Sequence, residues 1–232
     1  MTSWLPRLRN SSLLPAILST TAGAVDVIGF LALGGLFTAH ITGNVVIVAA
    51  HYVTGGFSQI GPLLAVPVFM VVIGLVTLAS SAIARAGSYP LRPLLLLQTA
   101  LLAGFLALGV GFGRFPDADS SMAVLAGMLG VAAMATQNVL GKLALKGAPS
   151  TAVMTTNITQ LTVDLATLAR RRRNADELAK ARRRARMTFP CIVGFIGGCA
   201  AGAALEVKFG FWALTLPVVL SALAVALSRV DK

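Results

Sequence analysis

The sequence predicts an all-α polytopic membrane protein, with six transmembrane helices plus two short half-helices in a 3+3 inverted repeat. Three observations predict it. The 232 residues are 56% hydrophobic and only 12% charged, with a mean hydropathy of +0.84, which is not the balance of a soluble domain. Apolar stretches of spanning length recur along the chain. A polar motif, Phe37-Thr38-Ala39-His40-Ile41-Thr42-Gly43-Asn44, returns 113 residues later as Ser150-Thr151-Ala152-Val153-Met154-Thr155-Thr156-Asn157.

The first span covers 13–36 and is weakened by Ser19, Thr20, Thr21 and Asp26. With Arg7 and Arg9 ahead of it and Ala22-Gly23-Ala24 inside it, it superficially resembles a cleavable leader. That reading fails because the apolar core is short and holds Pro15, and cleavage would discard Asp26, which the duplication assigns to the fold. The segments 63–84, 94–112, 122–140, 189–205 and 211–227 are each long enough to cross a hydrocarbon core of about 30 Å at about 1.5 Å per residue. Two intervening segments, 38–61 and 142–173, each hold one short helix, at 43–53 and 157–169. Such helices cover about 16–20 Å, roughly half to two-thirds of the core. Each is expected to follow a short extended strand, 37–41 or 151–154, and to start at Gly43-Asn44 or Thr156-Asn157. The repeats then run about 13–113 and 119–229, with a cytoplasmic basic loop at 170–186.

Positive charge decides between half and full crossings, since cytoplasmic loops collect Lys and Arg. If both short helices cross, giving eight passes, 14 of the 19 basic residues lie inside. If neither crosses, 17 lie inside, and only Arg114 and Lys208 lie outside. The six-pass reading is preferred, with seven or eight crossings as the alternative. It puts both termini in the cytoplasm and inverts the second half relative to the first, a recurring plan of transporters.

Asp26 sits in mid-span, where an ionisable residue costs about 2.5–3.5 kcal/mol and marks a pathway or relay by default; it serves equally well as a backbone cap. Thr42, Gly43, Asn44, Thr155 and Asn157 form the polar core of the two motifs. They read either as ordinary N-caps or as two opposed half-helix starts whose N–H groups face one central solute site. His40 titrates near neutral pH in principle, but its counterpart in the second copy is Val153. Gln137 and Asn138 occupy the second-half position of Val25 and Asp26. Asp164 lines a vestibule or sits near the arginines. Gly194, Gly198 and Gly202 make a small-residue stripe, for packing within the chain or for a homodimer seam.

The net charge of +11 does not call for nucleic acid. Eight arginines and Lys180 fall in 170–186, where they act as a topology signal and attract anionic lipid. Cys191 and Cys199, eight residues apart in one span, project about 80° apart on a helix, so a mutual disulfide is not feasible and no zinc-ligand spacing exists. Nucleophile elbows, zinc-protease motifs and nucleotide loops are missing. No enzyme, cofactor or metal is expected.

The string Ala22-Gly23-Ala24-Val25-Asp26, the run from Phe30 to Asn44, Ala135-Thr136-Gln137-Asn138 and the second motif resemble the YoaK family of bacterial membrane proteins, also known as DUF1275. The resemblance covers nearly the whole chain. It implies a small multi-pass protein of the bacterial inner membrane and adds little to mechanism. Thr156 stands where a perfect repeat would have glycine, so the two half-helix starts are not equally flexible. The function expected is a secondary transporter or channel-like permease for a small polar or ionic solute, with Asp26 as proton or cation partner. The rival is a membrane scaffold whose basic loop binds a partner or anionic lipid.

Overall fold

The computed structural model describes residues 12–54, 60–113, 115, 117–170 and 174–228. Arg7, Arg9, Arg114, Arg171, Arg172, Arg173, Arg229 and Lys232, all used in the charge count, lie outside the described residues. The elements are α1 (Leu13–Ala32), α2 (Ile41–Thr54), α3 (Ile60–Arg85), α4 (Leu91–Phe112), α5 (Ser121–Leu143), α6 (Met154–Ala169), α7 (Ala175–Phe209), a 3-10 turn (Gly210–Leu214) and α8 (Thr215–Leu227). Five helical segments are long and apolar enough to cross a membrane: α1, α3, α4, α5 and the 53-residue run Ala175–Leu227. The protein is therefore an all-helical integral membrane protein.

Two sequence expectations are corrected. The segments 37–41 and 151–154 are not strands, and no strand occurs among the described residues. An extended piece at membrane depth needs a partner for its amides, and here asparagine side chains supply it. The short helices accordingly start earlier, at Ile41 and Met154. The second correction concerns Arg182, Arg183, Arg184 and Arg186, which lie on α7 and not in a loop. Asn174 caps that helix, its side chain accepting from the Asp176 amide at 3.3 Å. Asp176 and Glu177 fill its first turn, where acids favour the positive end of the helix dipole. The Ala, Leu, Lys and Arg that follow are all good helix formers, so nothing breaks the helix before it enters the apolar run.

Close approaches give the chain directions. A Cβ at Gly194 would lie 2.8 Å from the Ala16 carbonyl oxygen, and one at Gly202 would lie 3.0 Å from the Ala24 Cα. One at Gly198 would collide with the Thr20 carbonyl oxygen. Numbers rise together, so α1 and α7 run parallel along an interface of bare backbone, with dispersion and close fit as the cohesive terms. The glycine stripe is thus the seam between α1 and α7, and α1 already fills it where a second copy would have to dock. α8 returns antiparallel to α1, since Leu14 and Leu18 cluster with Ala224 and Val225. α4 and α5 are antiparallel, joined by Gln98 to Gln137 at 2.7 Å and by Phe105 against Gly130. α3 runs parallel to α5. The Ile60 amide donates to Asp119, just before α5, at 2.7 Å, and beyond the far end of α3 the Tyr89 hydroxyl donates to the Ala144 carbonyl just past α5. The core divides into one cluster around Val25, Phe105, Val131 and Phe211 and another around Leu18, Leu95, Leu140 and Ala224.

Candidate functional site

The site begins with a chain reversal. α1 ends at Ala32, and Gly34 and Gly35 follow with φ of 61° and 89°, left-handed values that suit glycine. The chain then runs back down the side of α1 to the depth of Asp26. A Cβ at Gly29 would lie 2.9 Å from the Thr38 methyl and 3.1 Å from the Leu36 carbonyl oxygen, so a glycine in α1 makes room for the returning chain.

Two polar side chains hold this turn. Asp26, buried in α1, accepts the Ala39 and His40 amides on Oδ1 at 2.7 and 3.2 Å, with the Thr38 hydroxyl at 3.5 Å. Its Oδ2 lies 2.5 Å from His40 Nδ1. Asn44 pairs with the Phe37 backbone in both directions, its Oδ1 accepting from N at 2.9 Å and its Nδ2 donating to the carbonyl oxygen at 2.7 Å. The asparagine thus acts as the neighbouring strand that the segment lacks. Amides left unpartnered here would cost several kcal/mol each in hydrocarbon.

Beside the turn lies a cavity of about 600 Å³ lined by Asp26, Val27, Phe30, Phe37, His40, Thr42, Gly43, Val46, Phe195 and Cys199. Its walls are mainly apolar. His40 is its principal polar group, with a side chain 41% exposed against 5% for Asp26. The ring stacks edge-on against Phe195 at 5.5 Å and lies 6.0 Å from Phe37. A carboxylate only accepts, so Nδ1 carries the proton in this pair, and Nε2 has no hydrogen bond to any described residue. That nitrogen accepts a proton or donates one, according to the charge of the ring.

The second motif is built on the same plan but opens onto nothing in this cavity. Asn157 Nδ2 donates to the Ser150 carbonyl at 2.6 Å, repeating the seven-residue span of Asn44 to Phe37. Gln137, fully buried, donates to the Thr151 hydroxyl and to the Leu18 carbonyl, each at 3.0 Å, and accepts from Gln98 at 2.7 Å. Gln137 therefore does for the second turn what Asp26 does for the first, with an amide in place of a charge. Asn138 bonds only within its own helix, to the Met134 carbonyl at 2.9 Å. Thr155 is exposed on the outside of α6.

The structure thus brings Asp26, His40, Thr42 and Gly43 together and leaves Gln137, Asn138, Thr155 and Asn157 out of the cavity. Asn44 is close by but fully engaged with Phe37. None of Thr42, Asn44, Thr155 and Asn157 is an N-cap. All four lie inside the first turn of their helices, and α6 is preceded by Val153 with no side-chain cap bond. Asp164 takes the second of its two readings. It is completely buried and bound by Arg184 through Nε at 3.1 and 3.2 Å and Nη2 at 2.6 Å, with Gln160 at 3.1 Å. This pair clamps α6 to α7.

Residues 14–227 match the family model described as "Protein of unknown function (DUF1275)". The chain belongs to the DUF1275 family. No curated protein and no solved structure matches it significantly. Sequence reasoning about this DUF1275 chain missed the aromatic wall and Gln98. A lone glutamine in the 94–112 span was a readable signal, because a buried amide in a membrane helix needs a partner. Phe195 and Cys199 gave no such signal, being ordinary apolar residues of a span.

Proposed function

We propose that this protein is a permease of the bacterial inner membrane, a carrier or channel-like protein and not an enzyme, for a small polar or ionic solute. Its solute site is the cavity at the first re-entrant turn, with Asp26 and His40 as the groups that exchange a proton or meet the solute. One observation carries this reading. The Asp26 carboxylate is already supplied with two backbone amides, so capping the turn requires no histidine. Yet His40 is tethered to it with Nε2 free toward a cavity. An ionisable pair at membrane depth is costly and marks a pathway by default.

The packing supports the six-span, 3+3 inverted architecture. α1 lies on α7 as α5 lies on α3, both parallel; α2 lies on α3 as α6 lies on α7; α4 meets α5 as α8 meets α1, both antiparallel. Exchanging the first four helices with the last four maps each pair onto another, and α1 and α5 run in opposite directions, as inverted repeats require. In this frame both termini and the arginine-bearing end of α7 are cytoplasmic, and Asp117 faces the other side. The site is one-sided, because only the first turn lends it a wall.

The test is solute-driven proton movement in proteoliposomes, read by an internal pH dye across a panel of small anions, cations and neutral solutes. At least one solute should drive proton movement in the wild type, and Asp26→Asn at equal abundance should abolish it. If no solute moves protons, or if Asp26→Asn leaves the flux unchanged, the carboxyl is a cap and the scaffold reading takes over. Cys199 offers an independent check. In a Cys191→Ser protein, a water-soluble thiol reagent should reach Cys199 through the cavity, whereas complete protection would close the proposed route.

A further inference from the structure

We infer that the cleft between the N-terminus of α1 and the first turns of α7 is a binding site for the headgroup of an anionic glycerophospholipid. The cleft has a volume of about 330 Å³ and is lined by Ser12, Ala179, Arg182, Arg183, Arg186 and Met187. At about 100° per residue, Arg182, Arg183 and Arg186 fall within about one quadrant of α7, while Arg184 projects from the opposite side. The Asp164 carboxylate already holds Arg184 there. The structure thus sorts the four arginines, with one spent on internal clamping and three gathered around a cleft. Neither Arg182 nor Arg186 forms an ion pair with a described residue.

The height of the cleft identifies the ligand. α7 has 35 residues and spans about 52 Å at about 1.5 Å per residue, against about 30 Å of hydrocarbon. Its surplus is the polar N-terminal part, so the boundary falls near Met187, where the sequence turns apolar. α1, parallel to α7, starts about one turn further in, with Leu13 level with Cys191 by the register of Gly194 on Ala16. Leu13 and Phe189, 56% and 58% exposed, stand on the membrane side of the arginines. A ligand that fits must present a phosphate to guanidinium groups, which bind it in a planar fork, and continue into apolar contact within a few ångströms. A phospholipid does both. The first turn of α1 adds its positive dipole end beside Ser12. This inference does not depend on the permease reading, since it uses none of the cavity residues.

The test is native mass spectrometry of the full chain released from nanodiscs of phosphatidylcholine with phosphatidylglycerol. The wild type should retain phosphatidylglycerol preferentially. Arg182→Gln/Arg183→Gln/Arg186→Gln should lose that preference, by about fivefold per arginine removed. The charge-matched Arg85→Gln/Lys142→Gln/Lys146→Gln protein should keep it. Equal loss in both triple variants would mean a general basic field and overturn the site. Displacement of the lipid by equimolar inorganic phosphate would make it a free-anion site and overturn it as well. Should the arginine variant fail to insert, titration of phosphatidylglycerol into wild-type protein in phosphatidylcholine nanodiscs still decides. A saturable rise in Tm supports the site, and no rise or a non-saturating one refutes it.

Discussion

Replacing Asp26 with asparagine separates the two tasks of its carboxylate. Oδ1 holds the Ala39 and His40 amides, and Oδ2 holds the His40 ring. An asparagine keeps one oxygen for the amides and turns its NH2 toward Nδ1, which must then accept. The ring is thereby fixed as neutral, with its proton on Nε2. The cost is one charge-assisted hydrogen bond, about 1.5–3 kcal/mol, less the about 0.5–1.5 kcal/mol that an ordinary one returns, so about 1–2 kcal/mol net. Asp26→Ala also orphans two part-buried amides at about 1–3 kcal/mol each and should cost about 3–8 kcal/mol in all. Thermal unfolding in nanodiscs reads the difference in stability. Nitrogen-15 NMR of histidine-labelled protein reads the tautomer, with only His40 and His51 to assign. In the wild type the neutral His40 ring should carry its proton on Nδ1, and in Asp26→Asn on Nε2. Unchanged ring shifts, or an alanine variant as stable as the asparagine one, would refute the reasoning.

Three further outcomes follow from the packing. Asn44→Ala strips partners from both the amide and the carbonyl of Phe37, whereas Asn157→Ala strips the Ser150 carbonyl and a weak contact to the Met154 sulfur. The first should lose about 2–4 kcal/mol and the second about 1–2 kcal/mol, measured as Tm in one nanodisc composition; the reverse order would contradict the geometry. Gly198→Leu should abolish accumulation of folded protein, because the space is Thr20 backbone, while Gly197→Leu, with nothing within 4 Å of its Cβ, should accumulate normally. Equal levels by in-gel fluorescence of tagged protein would sink the seam. Arg184→Gln leaves the buried Asp164 carboxylate without its cation and should cost about 1–3 kcal/mol, and Asp164→Asn in the same chain should restore most of the lost Tm. An additive double variant would show that the pair is not coupled.

Spanning segments were legible because hydropathy is a property of composition, and the duplicated turn was legible because its polar residues stand out in an apolar chain. Asp26 and His40 were found as ionisable residues in the wrong solvent. What the sequence misassigned was the work of the asparagines. Spacing identifies Asn44 and Asn157 as special, but capping an amide from the first turn and mimicking a strand from seven residues away look the same in one dimension. The helical state of Arg182 to Arg186 was hidden by the habit of reading charge runs as loops, although Asn174 and the acids after it announce a helix start. The choice of one turn over the other for the cavity rests on Phe30, Phe37 and Phe195, whose convergence belongs to tertiary packing.

The reach of the polar contacts bears on how the chain assembles as it is made. α1 finds its most extensive partner in α7, which is synthesised long after it, yet little in α1 waits unsatisfied. Thr20 and Thr21 bond the Ala16 and Ile17 carbonyls of their own helix at 3.0 Å, and Asp26 is answered within 14 residues by His40. Gln137 reaches back 119 residues to Leu18, a group already in place. Both turns thus close locally or backward along the chain, and the late arrival of α7 contributes shape-fitting contacts between small residues. Each turn therefore draws its polar partners from its own neighbourhood or from chain that precedes it, and neither depends on α7 for its hydrogen bonds.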